Sequence, residues 1–311
     1  MDSEVKIQVV GGEARGEALR FLVAGSRRGG SVDSRAESLS MLGDPPRGSP
    51  SRLWCARRGR TCVGAAMVVE RPGRTGLLLC SPPGAPGVDG GAVAMLARAI
   101  SREALSGGLV MVQLFTRSAA RDEIAMIKSA GFDLLAELVY MRLDLPARRS
   151  RRDGEAGDVT WRDYGHFSEG ELADVIVSTY VNSLDCPALL GVRPMADIIA
   201  SHKASGVFHP ASWWILQQGA SPAGCILVNH SASLDPTAEV VYVGVAAAFR
   251  GRGLGRVMLR HAAGDACRQG LAAMTLAADA ANTHAKRLYD SEGFYETERR
   301  LAYVLLNKGQ S

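Results

Sequence analysis

Residues 239–255 read EVVYVGVAAAFRGRGLG, and the stretch divides into a strand, a short loop and the start of a helix. Val240, Val241, Val243 and Val245 are β-branched and Tyr242 is aromatic, side chains that suit a pleated, buried strand. The composition then changes. Arg250, Gly251, Arg252, Gly253, Leu254 and Gly255 precede Val257, Met258, Leu259 and His261, where a helical spacing of apolar residues begins. Glycine lets backbone N–H groups approach an anion closely, a helix N-terminus adds partial positive charge, and arginine adds full charge and fork-shaped donors. The segment reads as a cradle for a pyrophosphate.

Spacing separates three kinds of phosphate loop. A P-loop needs a Lys-Ser/Thr pair after its last glycine, and Arg256-Val257 stands there instead. A dinucleotide fingerprint would use Asp279, at the end of the next strand, to hold a ribose. However, Arg256 occupies the place of its third glycine, and five residues separate Val245 from Gly251, too many for the tight turn. The pattern that fits is Arg-x-x-Gly-x-Gly, here Arg250, Gly253 and Gly255. A glycine-rich turn on an arginine-rich surface is the bland alternative.

The 311 residues are enough for about two domains, and 47% hydrophobic with 22% charged residues is an ordinary globular composition. No stretch approaches the roughly 18 uninterrupted apolar residues of a membrane helix, and the start, MDSEVKIQVV, carries acids where a signal peptide carries basic residues. A cytoplasmic protein without membrane contact is expected. Six cysteines occur without a C-x-x-C pair, and the six histidines show no ligand spacing, so buried thiols are expected and no metal. A net charge of +4 with dispersed arginines argues against a nucleic-acid partner.

Along the chain, the first half reads as strands at 6–10, 52–58, 61–70, 75–80 and 109–116, helices at 15–24, 34–42, 92–105 and 119–129, and two strand segments within 132–145. Residues 146–158, PARRSRRDGEAGD, are nearly devoid of large apolar side chains and read as a linker between domains at 1–145 and 159–311. The second half repeats the order, with strands at 159–163, 212–217, 224–229, 239–245, 272–278, 294–298 and 301–306 and helices at 169–180, 194–203, 254–267 and 283–292. Aligning Gly131-Phe132 with Gly293-Phe294 puts Ile127 opposite Tyr289 and Ala120 opposite Asn282. The first copy has lost the polar chemistry.

Three blocks, 239–245, 250–255 and the run Ala281-Asn282-x-x-Ala285-x-x-Leu288-Tyr289-x-x-x-Gly293-Phe294, resemble the GNAT family of acyl-CoA-dependent N-acyltransferases over nearly the whole second half. The two-copy layout is similar to that of mycothiol synthase and other tandem members. The resemblance implies an α/β fold of two tandem domains, each a mixed, mostly antiparallel sheet with a splayed parallel strand pair and flanking helices. It implies acetyl-CoA as cosubstrate, without a metal, and direct transfer of an acetyl group to a small-molecule primary amine in a ternary complex. A protein N-terminal or lysine acetyltransferase and a non-catalytic acyl-CoA sensor are the alternatives, and monomer or homodimer remains open.

The resemblance also assigns roles. Val243 and Val245 meet the pantetheine by backbone hydrogen bonds, the Val243 N–H polarises the carbonyl, and Gly244 suits a β-bulge that opens the strand pair. Arg250, Gly251, Arg252, Gly253, Leu254 and Gly255 hold the pyrophosphate, and Asn282 contacts coenzyme A unless it is simply a helix N-cap. Tyr289 matches the general acid, a phenol protonated at neutral pH, and otherwise reads as a core tyrosine. Glu239 matches the base; on a regular strand it shares a face with Val241 and Val243, at a reach that needs an ordered water, and otherwise it is a solvated strand end. Asp185, in the segment 182–191, is read as a site for a cationic amine or as turn chemistry before Pro187, and Trp214 as acceptor wall or buried strand residue. Cys186 is not needed as a nucleophile.

Overall fold

Apolar runs bounded by glycine turns become strands in both halves, and a computed structural model describes them over residues 4–11, 14–23, 52–146, 159–231 and 237–307. The helix expected at 34–42 and all but the first residue of the expected linker lie outside the described residues. The chain divides into two compact units, residues 1–135 with 300–311 and residues 136–299.

The first unit contains β1 (Val5–Val9), α1 (Ala14–Val23), β2 (Leu53–Arg58), β3 (Thr61–Arg71), β4 (Thr75–Cys80), α2 (Gly90–Ser106), β5 (Met111–Thr116) and α3 (Arg121–Ser129). Its strand order is β1-β2-β3-β4-β5, followed by the last residues of the chain's final strand, β12 (Tyr295–Leu306), of which Leu301–Leu306 pair with β5. Every pairing there is antiparallel except β4 with β5, which run parallel over only three residue pairs. One face packs under α2 and α3 through Val93, Leu96, Ile100 and Ile127, the other under α1 through Ala18 and Leu22.

The second unit contains most of β6 (Asp133–Asp144), then β7 (Val159–Asp163), α4 (Glu169–Tyr180), α5 (Met195–Lys203), β8 (Trp213–Gln218), β9 (Ser221–His230), β10 (Ala238–Val245), α6 (Leu254–Arg268), β11 (Ala273–Asp279), α7 (Thr283–Ser291) and the start of β12. Its strand order is β6-β11-β10-β9-β8-β7, antiparallel except for β10 and β11. Two strand segments were expected at each domain end, and each pair is one continuous strand, since no glycine, proline or asparagine interrupts 133–144 or 295–306. Because β6 pairs with β11 from Leu138 onward, residues up to Asp144 belong with the second unit, and the units divide within the strands instead of at residue 146.

Two local features set the shape of the second unit. Ser168 caps α4 and Glu171 reaches back to the Ser168 N–H, a capping box that fixes where α4 starts. The β10–β11 pairing covers only Ala238–Val240 with Met274–Leu276, so the two strands part beyond Val240. On its other edge β10 stays paired with β9 as far as Val245, with a register shift between Val240 and Tyr242. The bulge is therefore earlier than Gly244. Gly244 instead makes room for its neighbours, because a Cβ there would lie 2.8 Å from Thr179 Oγ1 and 2.9 Å from the Tyr242 hydroxyl.

Gly224, opposite Val245, lets β9 close on β10, because a Cβ there would fall on the Gly244 carbonyl oxygen. No rotamer change relieves a clash with backbone. Gly224→Ala is expected to destabilise the second unit by about 2 kcal/mol, read as a lower urea midpoint at an unchanged slope.

Candidate functional site

Where β10 and β11 part, a cavity of about 1000 Å³ opens in the second unit. Residues 240–245 of β10, 276–278 of β11, the start of α6, one face of α7 and the segment after α4 line it. The Ala246 N–H bonds the Ala223 carbonyl on the β9 side, at 2.9 Å. Strand alternation then turns the N–H groups of Tyr242 and Gly244 toward β9 and those of Val243 and Val245 into the gap. Two backbone donors thus face the cavity side by side.

The helix end beyond them is open. Gly253 is the N-cap of α6, in a left-handed conformation (φ 76°), and no side chain caps the helix. The first helical bond runs from the Val257 N–H to the Gly253 carbonyl, so the N–H groups of Leu254, Gly255 and Arg256 lack a partner within the helix. Gly255 lets α6 approach α7, since a Cβ there would meet Leu288 Cδ2 at 2.9 Å. These groups line the cavity together with Gly251, and unpaired N–H groups at a helix start suit an anion.

The two arginines of the motif act differently. The Arg252 guanidinium bonds Gln218 Oε1 at 3.0 Å and the Ala248 carbonyl at 3.1 Å and lies over the Phe249 ring, while Arg250 reaches three backbone carbonyls. Arg250 lines the cavity and Arg252, turned to Gln218, does not, whereas two cationic side chains the motif did not single out do: Arg256, paired with Glu292 at 2.7 Å, and Arg287, exposed and without an ion pair among the described residues. Arg287 stands three positions after His284, which also lines the cavity, a spacing that places both on one side of α7.

Tyr289 is buried on α7 and lines the cavity. Among the described residues no group hydrogen-bonds its hydroxyl, while its ring packs in the core beside Phe294. Burial, and then the charge of Asp185, push the phenol well above its ordinary range. Asn282 lines the cavity and also caps α7, its Oδ1 accepting from the Ala285 N–H at 3.2 Å.

Asp185 lines the cavity and its residue is exposed there, with protein atoms crowding around its carboxyl. Desolvation, and then the charge of Asp279, raise its carboxyl above the usual range. Asp279 is buried at the end of β11 and turns its Oδ1 to the Ala281 N–H, at 2.9 Å. Cys186 follows Asp185 in a left-handed conformation, and burial with the charges of both aspartates pushes its thiol up to about 12. It is a thiol and not a thiolate at neutral pH.

Glu239 does not join this group on the cavity wall. Ser205 Oγ donates to its Oε1 at 2.9 Å, on the side of β10 covered by α4 and α5. The bulge is the reason: Val241 and Tyr242 pack toward α4 and α5, whereas Val243 and Val245 pack toward α6. The face expected to be shared by Glu239, Val241 and Val243 is broken between the second and the third. Trp214 is likewise no wall of the cavity. It is 6% exposed in the core against α6, edge-on to His261 at 4.8 Å, because its position on β8 turns it away from α4.

Among the described residues no helix is long and apolar enough to cross a membrane and no cluster of side chains could hold a metal.

Residues 181–294 match the acetyltransferase (GNAT) family. Comparison with curated proteins gives no match. A GCN5-related N-acetyltransferase from Sphaerobacter thermophilus has a similar fold, with a TM-score of 0.62 and 17% identity over 97% of this chain and 95% of that one. A tandem GNAT protein from the clavulanic acid biosynthesis pathway gives a TM-score of 0.55 and 15% identity over 99% of this chain and 100% of that one. Residues 181–294 thus match the acetyltransferase (GNAT) family, and the fold of the chain is similar to that of solved GNAT proteins, one of them a tandem one.

Proposed function

We propose that the second unit transfers an acetyl group from acetyl-CoA to a small primary amine, directly and without a covalent enzyme intermediate. The observation that carries this reading is the meeting, in one cavity, of the open edge of β10, the uncapped start of α6 and the unpartnered Tyr289 hydroxyl. The α6 N–H groups and Arg287 suit phosphate oxygens, and the Val243 and Val245 N–H groups suit amide and thioester carbonyls. Asp185 receives the acceptor as its ammonium ion. Glu239, on the α4 and α5 side of β10, first takes one proton from the ammonium through water, which leaves a neutral amine. The amine nitrogen then bonds to the thioester carbonyl carbon as the carbon–sulfur bond breaks, Tyr289 gives its proton to the departing sulfur, and the nitrogen's second proton passes through water to the Tyr289 phenolate. Incubating the protein with acetyl-CoA and a panel of primary amines, with released thiol as readout, tests the reading; silence across amines of varied size and charge would count against it.

Three results are expected. Tyr289→Phe lowers kcat on the order of 100-fold with little change in acetyl-CoA affinity, since the hydroxyl acts only as the sulfur departs. An unchanged kcat under rate-limiting chemistry would return Tyr289 to a packing role.

Asp185 must be ionised to hold a cation, and its carboxyl is raised above the ordinary range, so KM for the amine should climb as pH falls through that raised value. Asp185→Asn should raise KM at neutral pH and remove this acidic limb. An identical pH profile in the variant would rule Asp185 out.

Acetyl-CoA should bind once per chain. In the first unit Asp89 caps α2, its Oδ1 accepting from the Ala92 N–H at 3.0 Å, and it pairs with Arg58. That helix start already holds a carboxylate, kept ionised by the Ala92 N–H and then by Arg58, and Ile127 stands opposite Tyr289. Calorimetry should give a stoichiometry near one; two comparable sites would overturn the distinction.

A further inference from the structure

Arg250 begins the glycine-rich cradle, where a guanidinium would be expected to meet phosphate. Its three nitrogens instead bond backbone carbonyls: Nε to Val245 at 3.2 Å, Nη1 to Asn182 at 3.2 Å and Nη2 to Thr179 at 2.7 Å. Val245 ends β10, Thr179 lies in the last turn of α4, and Asn182 opens the segment that carries Asp185. The last carbonyls of a helix have no acceptor role left within it and carry partial negative charge, which a guanidinium complements.

The segment so held is an unusual one. Asn182 (φ 53°) and Cys186 (φ 41°) are both left-handed, one on each side of Asp185, and Ser183 Oγ accepts from the Asp185 N–H at 3.1 Å. Non-glycine residues adopt this conformation at a cost, and it persists where the surroundings hold it. Arg250 supplies such a hold from the other wall of the cavity, since Gly251, Gly253 and the start of α6 follow it directly. A lysine could not replace it, because a single ammonium lacks the fork that spans three carbonyls.

We propose that Arg250 is a positioning residue that ties the segment 181–193 to the end of β10, so that the cradle for acyl-CoA and the wall that holds the acceptor amine are ordered together. This rests on the reading of the cavity given above. It assigns to a residue of the phosphate motif an effect on the second substrate: loss of Arg250 loosens Asp185 without removing a phosphate ligand.

The full chain and its Arg250→Lys and Arg250→Ala variants test this by three measurements. In amide hydrogen exchange without ligand, peptides covering 181–193 should exchange about tenfold faster or more in Arg250→Ala, with Arg250→Lys between it and the wild type and other peptides of the second unit unchanged. Calorimetry with acetyl-CoA should give affinities within about threefold of wild type and an unchanged salt dependence, because the backbone seat is intact. With the best amine of the panel, KM for the amine should rise about tenfold in Arg250→Lys while kcat at saturating amine stays within about twofold.

A large loss of acetyl-CoA affinity with a flattened salt dependence and unchanged exchange at 181–193 would make Arg250 a phosphate ligand and overturn the proposal. Faster exchange throughout the second unit would reduce it to general stability and overturn it equally. If wild-type protein binds no acetyl-CoA, the reading of the cavity fails, and the exchange pattern still decides whether Arg250 holds the segment.

Discussion

A parallel strand pair that stops after three residues leaves backbone groups without partners, and buried backbone groups without partners are costly. The second unit accepts this between β10 and β11, where pairing ends at Val240 and Leu276. The rest of the unit can be understood as holding β10 in place despite it. β9 binds the other edge as far as Val245 and carries Gly224 so that it can approach closely. Gly244 leaves room for Tyr242 and Thr179, whose hydroxyls bond each other and fasten β10 to α4. What remains is a gap with its walls fixed and its donors, the Val243 and Val245 N–H groups, aimed into it.

The first unit makes the same geometric choice and fills it differently. β4 and β5 also run parallel for three residue pairs. Beyond them Ser81 bonds back to Ala65 on β3, its N–H to the carbonyl and its hydroxyl to both backbone groups, and Asp89 occupies the start of α2. A scaffold that can hold an anion at a helix start has been supplied with an anion of its own. The two units thus separate architecture, which both keep, from polar chemistry, which only one presents.

How far this was legible in the sequence depended on whether a feature is local. Strand and helix order followed from apolar periodicity and glycine turns, because those signals act over a few residues; β4, β7 and α4 begin and end where expected. The start of α6 at Leu254 was legible because the glycines and the apolar helical spacing that mark it are contiguous. Positions set by partners distant in sequence were not. The bulge between Val240 and Tyr242 arises from pairing with β9 and moved Glu239 to a different face from Val243. Trp214 differs from Trp213 by one residue, and only the packing decides that one faces α6 and the other α4. Arg250 carries a motif expected on phosphate, yet two of its three carbonyl partners lie 68 and 71 residues earlier in the chain.

Charge divides the cavity into two ends. At one, the uncapped start of α6, Arg256 and Arg287 favour negative ligand atoms; at the other, Asp185 beside Asp279 favours a positive one. Tyr289 and the open edge of β10 lie on the wall common to both. A ligand that is anionic at one end and neutral at the other enters such a site in one orientation, with its neutral end delivered to the donors of β10. In the proposed reaction the acceptor is drawn by Asp185, which would bring a nucleophile and a carbonyl together without either being held by a covalent bond. The raised carboxyl of Asp185 fits this division: desolvation by the surrounding protein and then the charge of Asp279 disfavour its ionised form, and a cation bound beside it would favour that form.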